Sequence, residues 1–241
     1  MPLPERRFPN GNDRLFLLPE EVLAAIREDF GQYPPQRRLF LSLCPPVLGA
    51  GQVVDDSGRR GAWIRVGSRG KMIRIGYREL GDRIVQALEA APPPASHLAG
   101  LCRMIFRSRA MPGRRCGVEG IWIETGMEGF CCIRCGQCCK DVGYPKEAFD
   151  ADIARWKAAG REDILAWVGM KRCQGSRSAH RIWIEPGTTR PAVTCPWLRR
   201  QPGTHRFECA IHDLKPDTCR LYPGSRKHAE MTGCRGFDPA P

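Results

Sequence analysis

The sequence predicts an α+β protein in which a small N-terminal region of helices and a β-hairpin precedes a loop-rich C-terminal domain with short strands and a helical hairpin. Two observations support this class. Apolar residues recur at helical spacing in some segments and alternate with polar residues in others. In addition, ten of the thirteen cysteines follow residue 130. This shift predicts a boundary near the Gly- and Pro-containing stretch 108–117, with an N-terminal region over 1–117 and a cysteine-rich domain over 118–241.

Four segments of the N-terminal region have patterns of regular structure. A helix over 19–30 begins at a proline, carries two acidic residues in its first turn and ends before a glycine. Residues 62–66 and 71–75 alternate apolar and basic side chains around a Gly-Ser-Arg-Gly turn, which predicts a hairpin. Two more helices are expected, one over 78–90 before three prolines and one capped by Ser96.

The three cysteines of this region, Cys44, Cys102 and Cys116, have no partner at metal-ligand spacing. We expect each to be a small residue of an apolar core. The glycines of segment 48–51 follow two prolines and lack the helix of a nucleotide-binding turn, which predicts a loop. The N-terminal region therefore offers no motif that indicates a function.

The second region has strand and helix patterns between its cysteines. The tetrapeptide Ile-Trp-Ile-Glu occurs at 121–124 and again at 182–185, and both copies are typical of short strands that frame the cysteine loop. Between them, two groups of apolar residues recur at helical spacing: Phe149, Ile153 and Trp156, and, after Gly160, Ile164, Trp167 and Val168. We expect one helical hairpin that packs these residues over the cysteine site.

The chain has a formal net charge of +12 at pH 7, spread evenly over both halves. A nucleic-acid surface concentrates Lys and Arg on one face, so this distribution gives a nucleic-acid partner little support. No window contains the roughly 18 apolar residues of a membrane helix, and the N-terminal segment lacks the apolar stretch of a signal peptide. We expect a cytoplasmic protein without membrane contact. Thiols stay reduced there, so dense cysteines indicate metal binding or catalysis rather than disulfides.

The most informative segment is Cys132-Ile-Arg-Cys135-Gly-Gln-Cys138-Cys139. A two-residue gap lets the backbone curl so that two thiolates reach one metal ion, at about 2.3 Å in the case of zinc. Gly136 suits this curl because glycine adopts positive φ without strain. Arg134 and Lys140 favour ionised sulfur because nearby cations stabilise thiolates. The segment therefore predicts metal ligands at Cys132, Cys135, Cys138 and Cys139.

The adjacent pair Cys138 and Cys139 is unusual for a single metal ion. Adjacent side chains of an extended chain point to opposite sides, so their sulfurs do not converge easily on one ion. We therefore expect the pair to serve two metal ions, or two atoms of one cluster.

Four remote cysteines follow at unequal gaps: Cys195, Cys209, Cys219 and Cys234. They form no second two-residue knuckle, which disfavours a zinc ribbon, whereas three close cysteines with a remote one are typical of iron–sulfur sites. Eight cysteines fill two four-ligand sites, so we expect the first three to share one site with one remote cysteine while Cys139 joins the others. Iron, as a cluster or as ions, and zinc both stay open, and either would staple the loop-rich domain together.

Four further candidate ligands lie near this set of eight. Cys131 and Cys173 are outside it, and we expect structural roles for both. His205 and His212 flank Cys209 and could replace a thiolate. A lone histidine is, however, more often solvated or hydrogen-bonded to a ligand.

The order of these groups is itself distinctive. After Phe130 and the cysteine loop come Cys195-Pro-x-Leu198, Cys209-x-Ile211 and Pro216-x-x-Cys219-Arg220-x-x-Pro223, with Asp152-Ile-x-x-Trp156 and Gly160-Arg-x-Asp-Ile-Leu165 between the cysteine groups. Over about residues 120–238 this arrangement resembles the YkgJ-type cysteine-cluster family (CxxCxxCC), whose domains chelate zinc or iron. His212 and Lys215 depart from the Tyr and Arg usual in that family, and neither change removes a thiolate.

The resemblance implies metal chelation, and flagellin lysine N-methylases carry a related cysteine cluster, which implies that some relatives modify protein side chains. One hypothesis is therefore a metal- or cluster-dependent enzyme or redox protein, with a protein as its substrate or partner. A second is a zinc-stabilised module that binds nucleic acid or an acidic protein. A metal carrier is a third, although a carrier rarely needs so much additional globular structure. No catalytic residue is identified, because nucleophile sets, paired carboxylates, P-loops and dinucleotide motifs are all absent from the sequence.

Overall fold

The computed structural model describes residues 14–67, 69–140, 147–174 and 177–238. The chain divides into two compact units, one formed by Asp13–Gly126 and the other by Met127–Pro241 together with Met1–Asn12. Helices and short antiparallel sheets occur in both units, so the fold class is α+β as predicted. No helix in the described ranges is long and apolar enough to cross a membrane.

The first unit contains two antiparallel three-stranded sheets, in the orders β2-β3-β4 and β1-β6-β5, and four helices among its described residues. Its elements are β1 (Arg14–Leu17), α1 (Pro19–Gln32), α2 (Arg37–Leu48), β2 (Ala50–Asp56), a 3₁₀ turn (Ser57–Arg59), β3 (Gly61–Val66), β4 (Ile73–Gly76), α3 (Tyr77–Ala90), α4 (Ala95–Phe106), β5 (Ala110–Arg115) and β6 (Val118–Glu124). Fully buried side chains from helices and sheets form one core, including Ile26, Phe40, Ile64, Leu80, Ile84, Leu98 and Ile121. The helices α1, α3 and α4 and the β3–β4 hairpin confirm the predictions for this region.

Some expectations for the first unit are wrong. Segment 48–51, which the sequence predicted as a loop, forms the end of helix α2 and the start of β2, and α2 itself contains Pro45 and Pro46. Ser96 lies inside α4 and caps nothing. Strand β6, which holds the first Ile-Trp-Ile-Glu copy, pairs with β1 and belongs to this unit.

The three cysteines of the first unit have different surroundings. Cys44 and Cys102 are buried core residues, as expected, and burial raises the pKa of Cys102 to about 12. Cys116 is exposed with φ 51°, so its predicted core position is wrong. It occupies the tight turn between β5 and β6, where the backbone leaves the sheet.

The second unit has shorter elements joined by loops. They are α5 (Gln137–Lys140), β7 (Glu147–Ala148), α6 (Asp150–Ala158), α7 (Glu162–Leu165), β8 (Val168–Gln174), β9 (Arg177–Ile182), β10 (Leu198–Arg200), β11 (Phe207–Cys209), a 3₁₀ turn (His212–Leu214), α8 (Asp217–Arg220) and α9 (Arg226–Met231). Strands β7, β9 and β8 form one antiparallel sheet, and β10 and β11 form a two-stranded ribbon. Helices α6 and α7 make the predicted hairpin, although Val168 already begins a strand.

Three tryptophans dominate the small core of this unit. Trp156 and Trp183 are fully buried with ring centroids 6.4 Å apart, and Trp183 makes an edge contact with Trp197. The second Ile-Trp-Ile-Glu copy is not a strand as predicted, because Ile182 ends β9 and Trp183 has φ 62°. That positive φ turns the chain out of the sheet and directs the indole into the core.

Candidate metal centre

The cysteine loop turns sharply between Cys132 and Cys139. Arg134 and Gly136 adopt φ of 56° and 70°. The carbonyl of Gly136 accepts hydrogen bonds from the N–H groups of Cys139 at 3.0 Å and Lys140 at 2.9 Å, which starts α5. The loop thus curls at Gly136, in agreement with its sequence.

Strand β11 is seated directly against this curl. The N–H of Phe207 donates to the carbonyl of Arg134 at 2.8 Å. A Cβ atom at Gly136 would lie 2.9 Å from the Phe207 ring, so only glycine allows this approach. Because β11 ends at Cys209, the contact carries a remote cysteine toward the loop.

Cys234 lies beside the start of the loop. The N–H of Cys131 donates to the carbonyl of Gly236 at 2.8 Å, and the rings of Phe130 and Phe237 meet edge to face with centroids 5.4 Å apart. These contacts join the C-terminal segment to the loop. Cys234 is close enough to Cys132 and Cys135 for charge on those sulfurs to act on it.

Tyr222 links Cys234 to another cysteine of the loop. Burial raises the pKa of Tyr222 above its ordinary value, and charge on the Cys234 and Cys138 sulfurs acts in the same direction. The hydroxyl groups of Tyr222 and Thr232 are also in contact. Burial raises the pKa of Cys234 above its ordinary value, and the Tyr222 hydrogen bond opposes that rise.

A second group of cysteines surrounds Cys139. The N–H of Cys195 donates to the carbonyl of Cys139 at 3.0 Å, and the N–H of Leu198 donates to the carbonyl of Cys195 at 3.1 Å. Leu198 in turn lies opposite Cys209 in the β10–β11 ribbon. Cys195 is buried, and Cys139 and Cys209 pack against the same apolar cluster. The backbone therefore gathers these three cysteines at one edge of the tryptophan core.

Cys219 is held by a polar network around a buried carboxylate. The carboxylate of Asp152 is fully buried, accepts from the N–H of Asp217 at 3.1 Å, and pairs with Arg155. Arg155 also pairs with Asp217 at 3.2 Å. Burial raises the pKa of Asp152 above its ordinary value. The network fixes the start of α8, one turn of helix that carries Cys219.

Sequence reasoning did not assign this role to Asp152, although Asp152 and Trp156 were part of the resemblance. Trp156 supports the same segment, because its Nε1–H donates to the carbonyl of Leu214 at 2.6 Å. The sequence does contain a sign of this role. Asp152 and Trp156 are four residues apart on α6, so both side chains lie on one face of the helix and contact the segment that precedes Cys219.

Cys138 and Cys139 were expected to lie in extended chain, with their side chains on opposite sides. That expectation is wrong. Both lie in α5, and their sulfur atoms are 4.0 Å apart. Successive side chains of a helix are offset by about 100° rather than 180°. Cys138 and Cys139 can therefore approach one ion or two neighbouring metal atoms.

Among the residues that the structure describes, no three Cys, His, Asp or Glu side chains form a ready-made metal site. The donor set is thiol-rich, which suits zinc and iron. His205 lines a cleft beside the loop and His212 begins the 3₁₀ turn. Cys131 is exposed, and the side chain of Cys173 lies outside the described part of the chain.

Comparison with known proteins finds a similarity, which lies in the second unit. No curated protein and no solved structure gives a significant match to this chain. A family model described as "CxxCxxCC: Putative zinc- or iron-chelating domain" matches residues 131–235, a range that contains all eight predicted ligands. Residues 131–235 are therefore similar to domains of this CxxCxxCC family, in agreement with the resemblance seen in the sequence.

Proposed function

We propose that the second unit binds metal at two neighbouring four-cysteine sites that meet at the adjacent pair. The first site comprises Cys132, Cys135, Cys138 and Cys234, and the second comprises Cys139, Cys195, Cys209 and Cys219. The observation that carries this division is that each member of the adjacent pair, whose sulfurs are 4.0 Å apart, has different cysteines as its neighbours. Tyr222 interacts with Cys138 and Cys234, whereas the backbone of Cys195 binds that of Cys139.

We propose that the first site holds an iron centre that exchanges electrons. Cys132 is exposed and Cys135, Cys138 and Cys234 are half-buried, so the site faces solvent. An iron–sulfur cluster held there would supply one-electron transfer. A hydrogen bond from the Tyr222 hydroxyl would stabilise negative charge on the Cys234 sulfur. Hydrogen bonds to ligand sulfurs raise the reduction potential of such centres because they stabilise the reduced state. A metal- or cluster-dependent redox protein or protein-modifying enzyme is the function that these features support best.

A zinc-stabilised binding module is the second candidate. The second site favours it, since Cys195 is buried in the same apolar cluster as Trp183. A closed four-thiolate zinc site supplies folding energy and no redox chemistry. The partner of such a module would be nucleic acid or an acidic protein, and its binding would weaken steeply with salt.

One purification separates these functions. The protein would be isolated without oxygen, and iron, zinc and acid-labile sulfide would be measured per chain with a visible spectrum. Iron and sulfide in similar amounts, with broad absorption near roughly 400 nm, are expected for the redox function. A colourless protein with about two zinc ions per chain, the number two four-thiolate sites would hold, would replace it with the binding module.

The ligand assignment is tested by two adjacent exposed cysteines, Cys132 and Cys131. Cys132→Ser removes a proposed ligand, so about half of the bound metal should be lost when one of two four-ligand sites fails. Cys131→Ser changes the neighbouring side chain outside the proposed set and should leave the metal content unchanged. Equal metal loss in both variants, measured by elemental analysis of the same preparations, would refute the assignment.

A further inference from the structure

A cleft of about 660 Å³ opens beside the cysteine loop, and its walls carry mostly cationic and polar side chains. They include Cys135, Lys140, Arg200, His205, Phe207 and Arg235. Among the described residues that line it, none is acidic. Its volume falls in the range of about 300–1,000 Å³ that is usual for small-molecule sites. The cleft therefore has the size and the charge of a site for a small anion.

Two of the cations share the Phe207 ring as a common neighbour. The Nζ atom of Lys140 lies 4.2 Å from the ring centroid. Arg200 is the cross-strand partner of Phe207 in the β10–β11 ribbon, so both side chains leave the same face. The Nε–H of Arg200 makes a long contact of 3.4 Å with the carbonyl of Thr204. Lys140 and Arg200 thus adjoin the same residue, Phe207, and line the same cleft.

The cations of the cleft differ in how well their charge is compensated. Arg235 pairs with Asp238 at 2.8 Å, and the charge of Cys135 also acts on it. Within the described parts of the chain, neither Lys140 nor Arg200 forms an ion pair with a carboxylate. Lys140 and Arg200 therefore place positive charge in the cleft that no carboxylate of the described residues compensates.

We infer that this cleft binds a small molecule through a phosphate or carboxylate group held between Lys140 and Arg200. The guanidinium group of Arg200 offers parallel N–H donors that match two oxygens of such a group, and the ammonium group of Lys140 adds a point charge. Placing the anion beside a metal ligand rests on the proposed function, since Cys135 lines the same cleft. Anion binding by Lys140 and Arg200 does not depend on which metal is bound.

The test uses two adjacent arginines of β10. Arg200→Gln removes a charge from the cleft, and Arg199→Gln removes one beside it. Arg199 lies opposite Glu208 on the other face of the ribbon. The purified protein with its metal would be titrated with inorganic phosphate, and separately with succinate, by calorimetry at low ionic strength. Losing a charge-assisted hydrogen bond should raise the Kd of Arg200→Gln roughly tenfold or more, while that of Arg199→Gln stays close to wild type.

Each outcome decides the inference. Saturable binding that Arg200→Gln weakens and Arg199→Gln retains supports it, and the anion bound more tightly identifies the phosphate or carboxylate class. Equal weakening in both variants would show general attraction by the basic surface, and no saturable binding of either anion would also overturn it. Lys140→Gln should repeat the loss and replaces Arg200→Gln if that variant does not fold. Metal analysis of the same samples reports separately on the proposed function.

Discussion

The two units of the molecule are stabilised by different means. The core of the first unit contains twenty-three buried residues in one cluster. Among the described residues of the second unit, the corresponding cluster contains eight, although the units are similar in length. A domain with so small an apolar core usually needs disulfides, metal or a partner to fold. The comparison indicates that the cysteines of the second unit supply what its core lacks.

The two units also differ in their buried polar contacts. In the second unit the fully buried carboxylate of Asp152 connects α6 to the start of α8. In the first unit α1, α3 and α4 pack through apolar side chains such as Ile26, Ile84 and Leu98, and the buried Asp29 accepts a hydrogen bond from Gln36 just before α2. Hydrogen bonds and metal–thiolate bonds are directional, whereas apolar packing is not. The second unit therefore gains ordered ligand positions from contacts that contribute little apolar burial.

Metal removal has the largest expected effect. Structural zinc contributes roughly 10–16 kcal/mol of apparent binding free energy to small metal domains at neutral pH. A chelator under reducing conditions should therefore unfold the second unit and leave the first folded. Hydrogen exchange read by mass spectrometry should show lost protection in β8 and β9 and retained protection in α3. Full protection of both units without metal would contradict the comparison.

Asp152→Ala should lower the free energy of unfolding by less than metal removal does. The change leaves the N–H groups of Phe149 and Asp217 without their acceptor and removes one of the two carboxylate partners of Arg155. Breaking a buried ion pair costs roughly 3–5 kcal/mol. Because Arg155 is 31% exposed, we expect about 2–3 kcal/mol, measured by urea unfolding of the metal-loaded protein.

Asp163→Ala is the matched control for this loss. Asp163 is an exposed acid of the same helical hairpin that pairs with Arg161 at 2.7 Å. An exposed pair contributes little because water and salt screen it, so Asp163→Ala should change the free energy of unfolding far less than Asp152→Ala. Equal losses in the two variants would show that burial of Asp152 does not stabilise the second unit.

The sequence predicted the first unit better than the second because its signals are local. Burial of one face imposes helical or alternating periodicity, so α1, α3 and the β3–β4 hairpin were found from their own residues. Helix α2 was missed because Pro45 and Pro46 lack the N–H groups that a helix interior uses, and packing outweighs that preference here. The second unit depends on turns, such as the one at Trp183, that no periodicity reports.

In the candidate site, too, the sequence predicted local features and missed those that depend on contacts between distant residues. Spacing alone predicted the curl at Gly136, because a two-residue gap is a local constraint. The position of Cys234 beside Cys132 follows from the hydrogen bond between Cys131 and Gly236, which are far apart in sequence. The orientation of the adjacent pair was mispredicted because four residues, Gln137–Lys140, form a helix too short to leave a periodic signal. Pairing of remote ligands therefore needed the folded chain.

The smallest effect is expected from substitution of glycines in or near the cysteine loop. It distinguishes the stability that comes from the turn at Gly136 from the stability that comes from the contact of the loop with β11. Gly136 and Gly129 both have positive φ, 70° and 77°, so Gly136→Ala and Gly129→Ala share a backbone strain of about 1–2 kcal/mol. Only at Gly136 would the added Cβ press on the Phe207 ring, whereas the space around Gly129 is open. Moving that ring displaces β11 and Cys209, so Gly136→Ala should lose about 1 kcal/mol more and release metal faster to a competing chelator. If both variants hold metal equally, β11 and the loop are independent, and the metal alone, without this close packing, orders the second unit.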